Sequence, residues 1–359
     1  MADTSVDTAN QLPSRRWQRR REVRFVGRIA SWLGSLLLGL AALILVTFVF
    51  SHISPVDPVI RVVGDKANQA TYDAARHQLG LDQPIALQFV AYVGRVLRGD
   101  LGTSWSTGQP VASDLAHAFP ATFELATVAI IMGTVLGVGL GLIAALWPGG
   151  WRDAIVRVIS LLGYSVPIFW LGLLSLLLFY AKLHWASGPG RQDVVFEVMT
   201  QRRTGLMLID TWLSGQPGAF RDAISHIALP ASVLAFYSTA GIARLTRAAA
   251  LEELGKEYVI TARAKGASQA RVVFRHVVPN IRASIITVIA LAYAVLLEGA
   301  VFTETVFAWP GIGRYLTISM FAADIPAILG GTLVIGVCFI ILNTVTDLLV
   351  SSLDPRLRP

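Results

Sequence analysis

Residues 125–151 read "LATVAIIMGTVLGVGLGLIAALWPGGW", and no charged side chain lies between Glu124 and Arg152. A bilayer core about 30 Å thick is crossed by roughly 20 apolar residues rising about 1.5 Å each. A helix satisfies its own backbone in hydrocarbon, so this stretch reads as a membrane-spanning helix. The same test, applied outward, finds five more. No charge lies between Arg28 and Asp57, between Arg157 and Lys182, between Asp222 and Arg244, or between Asp324 and Asp347, and 283–303 is interrupted by Glu298 alone. The expected fold class is an all-α integral membrane protein with six transmembrane helices, at about 29–51, 122–147, 158–181, 223–243, 283–303 and 328–350.

Composition agrees. Of 359 residues, 54% are hydrophobic and 15% charged, with a mean hydropathy of +0.60, against about 25% charged in soluble domains. The single cysteine, Cys338, falls in the last apolar run, so no internal disulfide is available. Seven arginines precede the first run, as in a secretion signal, but that run is longer than the roughly 7–15 residues of a signal core. It ends in "FVFSHISPVDP" and is expected to remain as the first span.

The net charge of +7 is explained by topology. With the N- and C-termini in the cytoplasm, the inner pieces (1–28, 148–157, 244–282 and 347–359) hold 19 of the 30 Lys/Arg. The longer outer pieces (52–119, 182–222 and 304–327) hold the other 11. That bias follows the positive-inside rule, with a contribution from anionic lipid. No nucleic-acid recognition motif accompanies it.

The expected organisation is a cytoplasmic Arg-rich tail (1–28), a first span (29–51), an external segment (52–119), a core of five further spans (120–351) and a cytoplasmic tail (352–359). Ile85, Phe89, Tyr92, Val93 and Val96 recur at helical spacing and predict an amphipathic helix on the outer surface. Gly133, Gly137 and Gly141 stand four apart, a pattern that lets two helix backbones approach closely in lipid. The partner is either another helix of this chain or a second membrane subunit. Pro167 and Pro230 fall inside spans three and four, where a lost backbone donor is best tolerated against protein. No internal repeat is evident.

One inner loop departs from this pattern: "YVITARAKGASQARVVFRHVVPN", 258–280. Tyr258 to Lys265 suits a helix, Gly266 suits the left-handed turn that closes one, and Ser268 suits the N-cap of a second short helix through Phe274. Arg263, Lys265, Arg271 and Arg275 alternate with Val272, Val273 and Phe274. Such a mixed surface fits a protein groove with an acidic rim and an apolar floor.

Here the sequence resembles the membrane subunits of binding-protein-dependent ABC importers. Their cytoplasmic motif sets a glycine nine residues before Ile-x-Leu-Pro. In this chain Gly266 is followed by nine residues and then His276, Val277, Val278 and Pro279. Ile260 replaces the motif's glutamate, and "TARAKG" at 261–266 resembles the branch importing peptides and nickel. In chain order, "LGLDQP" (79–84), "GDLGTSW" (99–105), "PATFELA" (120–126), "HIALPA" (226–231), "ETVFAWPGIGRY" (304–315) and "LDPRLRP" (353–359) resemble the same branch.

The resemblance implies a type I ABC importer permease fold in a bacterial plasma (inner) membrane. It implies four kinds of neighbour: a second, related permease in a heterodimer, two ABC ATPase subunits, an external substrate-binding protein and membrane lipid. The 256–280 loop would be the ATPase coupling site, through Tyr258, Thr261, Ala262, Arg263, Ala264, Lys265, Gly266, Ala267, Arg271, Phe274, His276 and Pro279. The implied cargo is a di- or oligopeptide, with nickel or another small solute as the alternative.

Other candidates are fewer. No G-x-x-x-x-G-K-[ST] occurs, and "ELGKEY" (253–258) lacks both the upstream glycine and the Ser/Thr. ATP and Mg are therefore expected on the ATPase subunits, with no catalytic residue and no cofactor here. Glu298 inside a span is either a translocation-path residue or a hydrated carboxylate at the interface. Glu304, Trp309, Pro310, Gly311 and Gly313 form either an outer gate loop or a structural turn. Asp347 is expected to snorkel or cap. Six scattered histidines show no paired metal-ligand spacing, so no metal site is expected. A proton- or ion-driven transporter would need several embedded ionisable groups, and a membrane enzyme would need convergent His, Asp or Cys in the spans. The sequence supplies neither.

Overall fold

The computed structural model describes residues 34, 36–53, 57–64 and 67–353. The expected N-terminal tail, the start of the first span and the last residues of the C-terminal tail lie outside the described residues. Every extended element described is helical, with one isolated antiparallel bridge between Thr103 and Pro110. In chain order the helices are α1 (Leu36–Ile53), α2 (Pro58–Val63), α3 (Gln69–Gln78), α4 (Ile85–Leu97), α5 (Val111–Leu146), α6 (Trp151–Ser165) and α7 (Ile168–Ser175). They continue with α8 (Val194–Met199), α9 (Met207–Ser214), α10 (Ala219–Leu254), α11 (Glu257–Ala264), α12 (Gln269–Val272), α13 (Val278–Val306), α14 (Ile312–Phe321) and α15 (Ile325–Leu353).

Five helices are long and apolar enough to cross a bilayer, and the α6–α7 pair makes a sixth if it counts as one span. The third span, expected at about 158–181, is a bent pair of helices. α6 and α7 meet at 103°, and a π-turn from Leu176 to Lys182 extends α7. The cause is Pro167, which has no N–H to give and pushes Val166 into extended backbone (φ −88°, ψ 123°). Pro120 and Pro230 lie within unbroken α5 and α10.

α5 and α10 form the central pair. Gly133, Gly137 and Gly141 face α10 at contact distance. A Cβ on Gly137 would stand 2.7 Å from Ile242 Cβ, and one on Gly141 would stand 2.7 Å from the Ala243 carbonyl oxygen. The glycine row therefore seats a helix of the same chain, not a second subunit. Leu125, Ala129, Ile130, Leu234, Ile242 and Leu296 complete a core between α5, α10 and α13.

The predicted outer amphipathic helix is α4. Its Phe89 and Tyr92 rings lie 5.1 and 5.7 Å from Phe48 on α1, and Tyr92 Oη donates to Thr47 Oγ1 at 3.0 Å. α4 is thus bound to the first span along its aromatic edge, while Ile85, Val90 and Leu97 stay exposed.

Candidate coupling surface

α10 runs eleven residues beyond the predicted end of the fourth span, to Leu254. Lys256 caps α11, and Gly266 (φ +81°) supplies the left-handed turn after it, its N–H donating to the Arg263 carbonyl at 2.9 Å. Ser268 is the N-cap of α12, its Oγ accepting from the Arg271 N–H at 3.4 Å. The overrun of α10 and the Lys256 cap were not expected; the helix before Gly266, the left-handed turn at Gly266 and the N-cap at Ser268 match the sequence reading.

The second short helix does not. α12 ends at Val272, and a π-turn at Val273–Val277 carries the chain directly into α13. The segment predicted as a separate helix through Phe274 is therefore an extension of the fifth span. A second correction concerns its apolar face. Val272 and Val273 point inward and are buried, Val272 in a cluster with Ala145, Ala250, Val259, Val277 and Ile281. The surface keeps Ile260 and Phe274, the latter 71% exposed, as its large apolar side chains.

Around them, Thr261, Arg263, Ala264, Lys265, Gly266, Arg271, Arg275 and Pro279 are exposed, and Ala262, Ala267 and His276 half-buried. The result is a basic ridge studded with one aromatic and one aliphatic side chain. Its chemistry suits acidic and apolar protein side chains. It holds no nucleophile or general-base pair, and no group of three or more metal-ligating side chains occurs among the described residues.

Tyr258, itself 36% exposed, braces this ridge at its flank. Its hydroxyl donates to Glu253 Oε1 at the end of α10 and accepts from Asn280 Nδ2 on α13 at 2.9 Å. Asn280 Nδ2 also donates to the His276 carbonyl at 2.7 Å, and Lys256 Nζ meets Glu253 Oε2 at 2.5 Å. Burial, and then the bond to Glu253, push the Tyr258 phenol up to about 12, so it stays a neutral donor throughout the physiological range. Glu253, Lys256 and Asn280 were missed by the sequence reading. Only the meeting of three helix ends brings them together.

The candidate gate residues sit elsewhere, in the last turn of α13 and the turn that follows it, through the start of α14. Glu304 is fully buried, accepting from Thr122 Oγ1 on α5 at 2.6 Å and from the Arg314 N–H at 3.1 Å. Trp309 is 1% exposed and donates Nε1 to the Ala121 carbonyl at 2.9 Å. Gly311 and Gly313 pack against the Glu304 carboxylate with no room for a Cβ, which leaves Pro310 as the exposed tip. Arg191 and Glu124 form a buried ion pair beside them, and the guanidinium carbon lies 5.4 Å from the centre of the Trp309 ring. The arrangement is a structural knot joining α5, α13 and the 187–218 segment. Glu298 lies on α13 and Asp347 on α15, but their side chains lie outside the described residues.

Two family models match the chain. The binding-protein-dependent transport system inner membrane component matches residues 137–359, and the N-terminal part of the corresponding membrane component matches 23–126. Similar curated proteins include the probable D,D-dipeptide transport system permease protein of Escherichia coli K12, 42% identical over 90% of this chain and 94% of that protein. The di/tripeptide transport system permease protein of Pseudomonas aeruginosa UCBPP-PA14 is 42% identical over 92% and 98%. The dipeptide transport system permease protein of Haemophilus influenzae Rd is 43% identical over 88% and 95%.

Proposed function

Because the chain belongs to the family of binding-protein-dependent transport system inner membrane components, a family of multi-pass permeases, we propose that it imports di- or oligopeptides as one permease subunit of an ABC importer. It forms half of the translocation pathway, beside a related second permease. Two ATPase subunits supply ATP and Mg chemistry from the inner side, and an external substrate-binding protein delivers cargo. The chain itself performs no catalysis.

The observation that carries this reading is the coupling ridge. Phe274, Ile260, Arg263, Lys265 and Arg271 stand out from the bundle on elements that contact both α10 and α13. A force applied at the ridge therefore reaches two core helices, which is what a permease without its own P-loop requires. Peptide cargo is supported by the similarity to dipeptide and di/tripeptide transport permeases.

The test is purification of the tagged chain in mild detergent, with co-eluting proteins identified by mass, for wild type and Gly266→Pro. Proline fixes φ near −65° and has no N–H, so it cannot occupy a φ of +81° or bond to Arg263. P-loop ATPases and a second permease should accompany the wild type, and the ATPases should be lost from the variant. A wild-type chain that elutes alone, or moves solute in liposomes without ATP, defeats the reading.

A further inference from the structure

We propose that the Tyr258 hydroxyl is the positioning group that makes α10, the coupling helix α11 and α13 move as one body, an inference that rests on the transport reading above. The covalent path is a poor lever. α11 is joined to α10 through only Gly255 and Lys256, and to α12 through the turn at 265–268, centred on Gly266. Rotation about those backbone bonds would absorb a push applied at the exposed ridge.

Two things oppose that loss. Val259 is fully buried against Val272, Val277 and Ala250, which resists lifting of α11 but is non-directional and permits rolling. The phenol adds direction. It has one proton to give, and Glu253 takes it at the end of α10. Its oxygen then receives Asn280 Nδ2 from the first turn of α13. The other hydrogen-bonding reach of that amide is spent on the His276 carbonyl within the π-turn, so Asn280 is itself fixed. A hydrogen bond to a carboxylate is among the stronger neutral-donor contacts, and here the carboxylate is buried. Three helix ends thus share one oxygen atom, and the coupling helix cannot roll without breaking a bond on each side.

The experiment uses the assembled importer in proteoliposomes. ATP hydrolysed per tritiated alanyl-alanine imported is the first readout. The second is the change on ATP–vanadate trapping in the distance between spin labels at Phe220 on α10 and Phe302 on α13, both exposed. Tyr258→Phe keeps the ring and removes the hydroxyl. It should raise ATP consumed per peptide about threefold or more and produce a change in label distance on trapping that the wild type, moving as one body, does not show. Asn280→Ala should do the same if Tyr258→Phe fails to assemble. Glu253→Gln keeps an acceptor for the phenol and should leave both readouts near wild type.

An unchanged ratio and unchanged label movement in Tyr258→Phe overturns the proposal, as does Glu253→Gln matching the phenylalanine variant. A purely structural role would lower assembly or melting temperature and leave the ratio alone. Failure of the peptide assignment is distinct: the wild type would import no alanyl-alanine while the label movement still reports on the latch. Failure of the importer reading would appear as no ATPase in the wild-type complex.

Discussion

Arg247 and Asp153 close a two-point ion pair, with Arg247 Nε donating to Asp153 Oδ1 at 2.5 Å and Nη2 donating to Oδ2 at 2.8 Å. Asp153 is buried, and its Oδ2 also accepts from the Gly149 N–H at 3.0 Å. The turn between α5 and α6 is thereby fastened to α10 six residues before Glu253, on the approach to the coupling latch.

Asp153→Asn keeps the shape and removes the charge, and Arg247→Lys replaces a planar fork with a single ammonium that cannot serve both oxygens. Each should destabilise the chain by about 2 kcal/mol, the typical worth of a charged hydrogen bond lost at a buried site. Tryptophan-fluorescence melts in detergent would read this as a lower midpoint. Equal midpoints for all three proteins would show the pair to be dispensable.

The α5–α10 contact makes a positional prediction. Gly137→Leu forces a side chain into Ile242, whereas a Cβ on Gly139, two residues along the same helix, meets nothing within 4 Å. Gly139→Ala should leave folding unchanged. Gly137→Leu should cost at least the roughly 1–3 kcal/mol of an overpacked core, seen as loss of monodisperse protein on size exclusion. Similar behaviour of the two variants would contradict the packing described.

Thr122 serves two groups at once. Its Oγ1 donates to Glu304 at 2.6 Å and accepts from the Ile312 N–H at 2.8 Å. Thr122→Val is nearly isosteric but strands both partners in a buried site, at a cost of about 1–3 kcal/mol each way. A lowered melting midpoint is expected, with no change in ATPase co-elution, because the knot lies far along α5 from the coupling ridge.

Asp324 carries a pH dependence. Burial opposes its charge, but donation from Ser104 Oγ (2.6 Å), the Ser106 N–H (2.9 Å) and the Ala327 N–H (3.2 Å) outweighs burial and holds its carboxyl below the ordinary value. A depressed folded pKa means stability present above the unfolded value, about 3.9, and lost as pH falls through the lower folded one. The melting gap between wild type and Asp324→Asn should therefore be full at pH 7 and close below about pH 4. A gap independent of pH would remove the carboxylate from the account.

Phe274 is exposed and contributes little to the fold. Phe274→Ala should leave the melting midpoint unchanged and weaken ATPase retention about 30-fold, the scale of losing an aromatic anchor at an interface. Retention equal to wild type in a salt-washed pull-down would move the docking surface elsewhere on the ridge.

The sequence by itself determined the apolar runs behind the spans, the helix and left-handed glycine of the coupling loop, and the family. These follow from one-dimensional facts: uncharged runs as long as a bilayer is thick, a cap residue at Ser268, a left-handed glycine at 266. The tertiary structure alone decided which side chains face which. Val272 and Val273 looked like interface residues because alternation along the chain cannot show that both side chains face inward where α12 meets the π-turn. Glu304 and Trp309 could belong to an outer gate loop or to a structural turn, because a turn motif does not reveal that α5 covers them with Thr122 and Ala121. Gly137 could have met any helix, and only the close approach of α10 assigns it to this chain's own core. The Tyr258 latch was beyond any local pattern, since its bonds join residues five and 22 positions apart whose meeting depends on where two membrane helices end. Helix formation is governed by bonds four residues apart and by burial in lipid, which a sequence records. The contacts between helices depend on packing in three dimensions, which it does not.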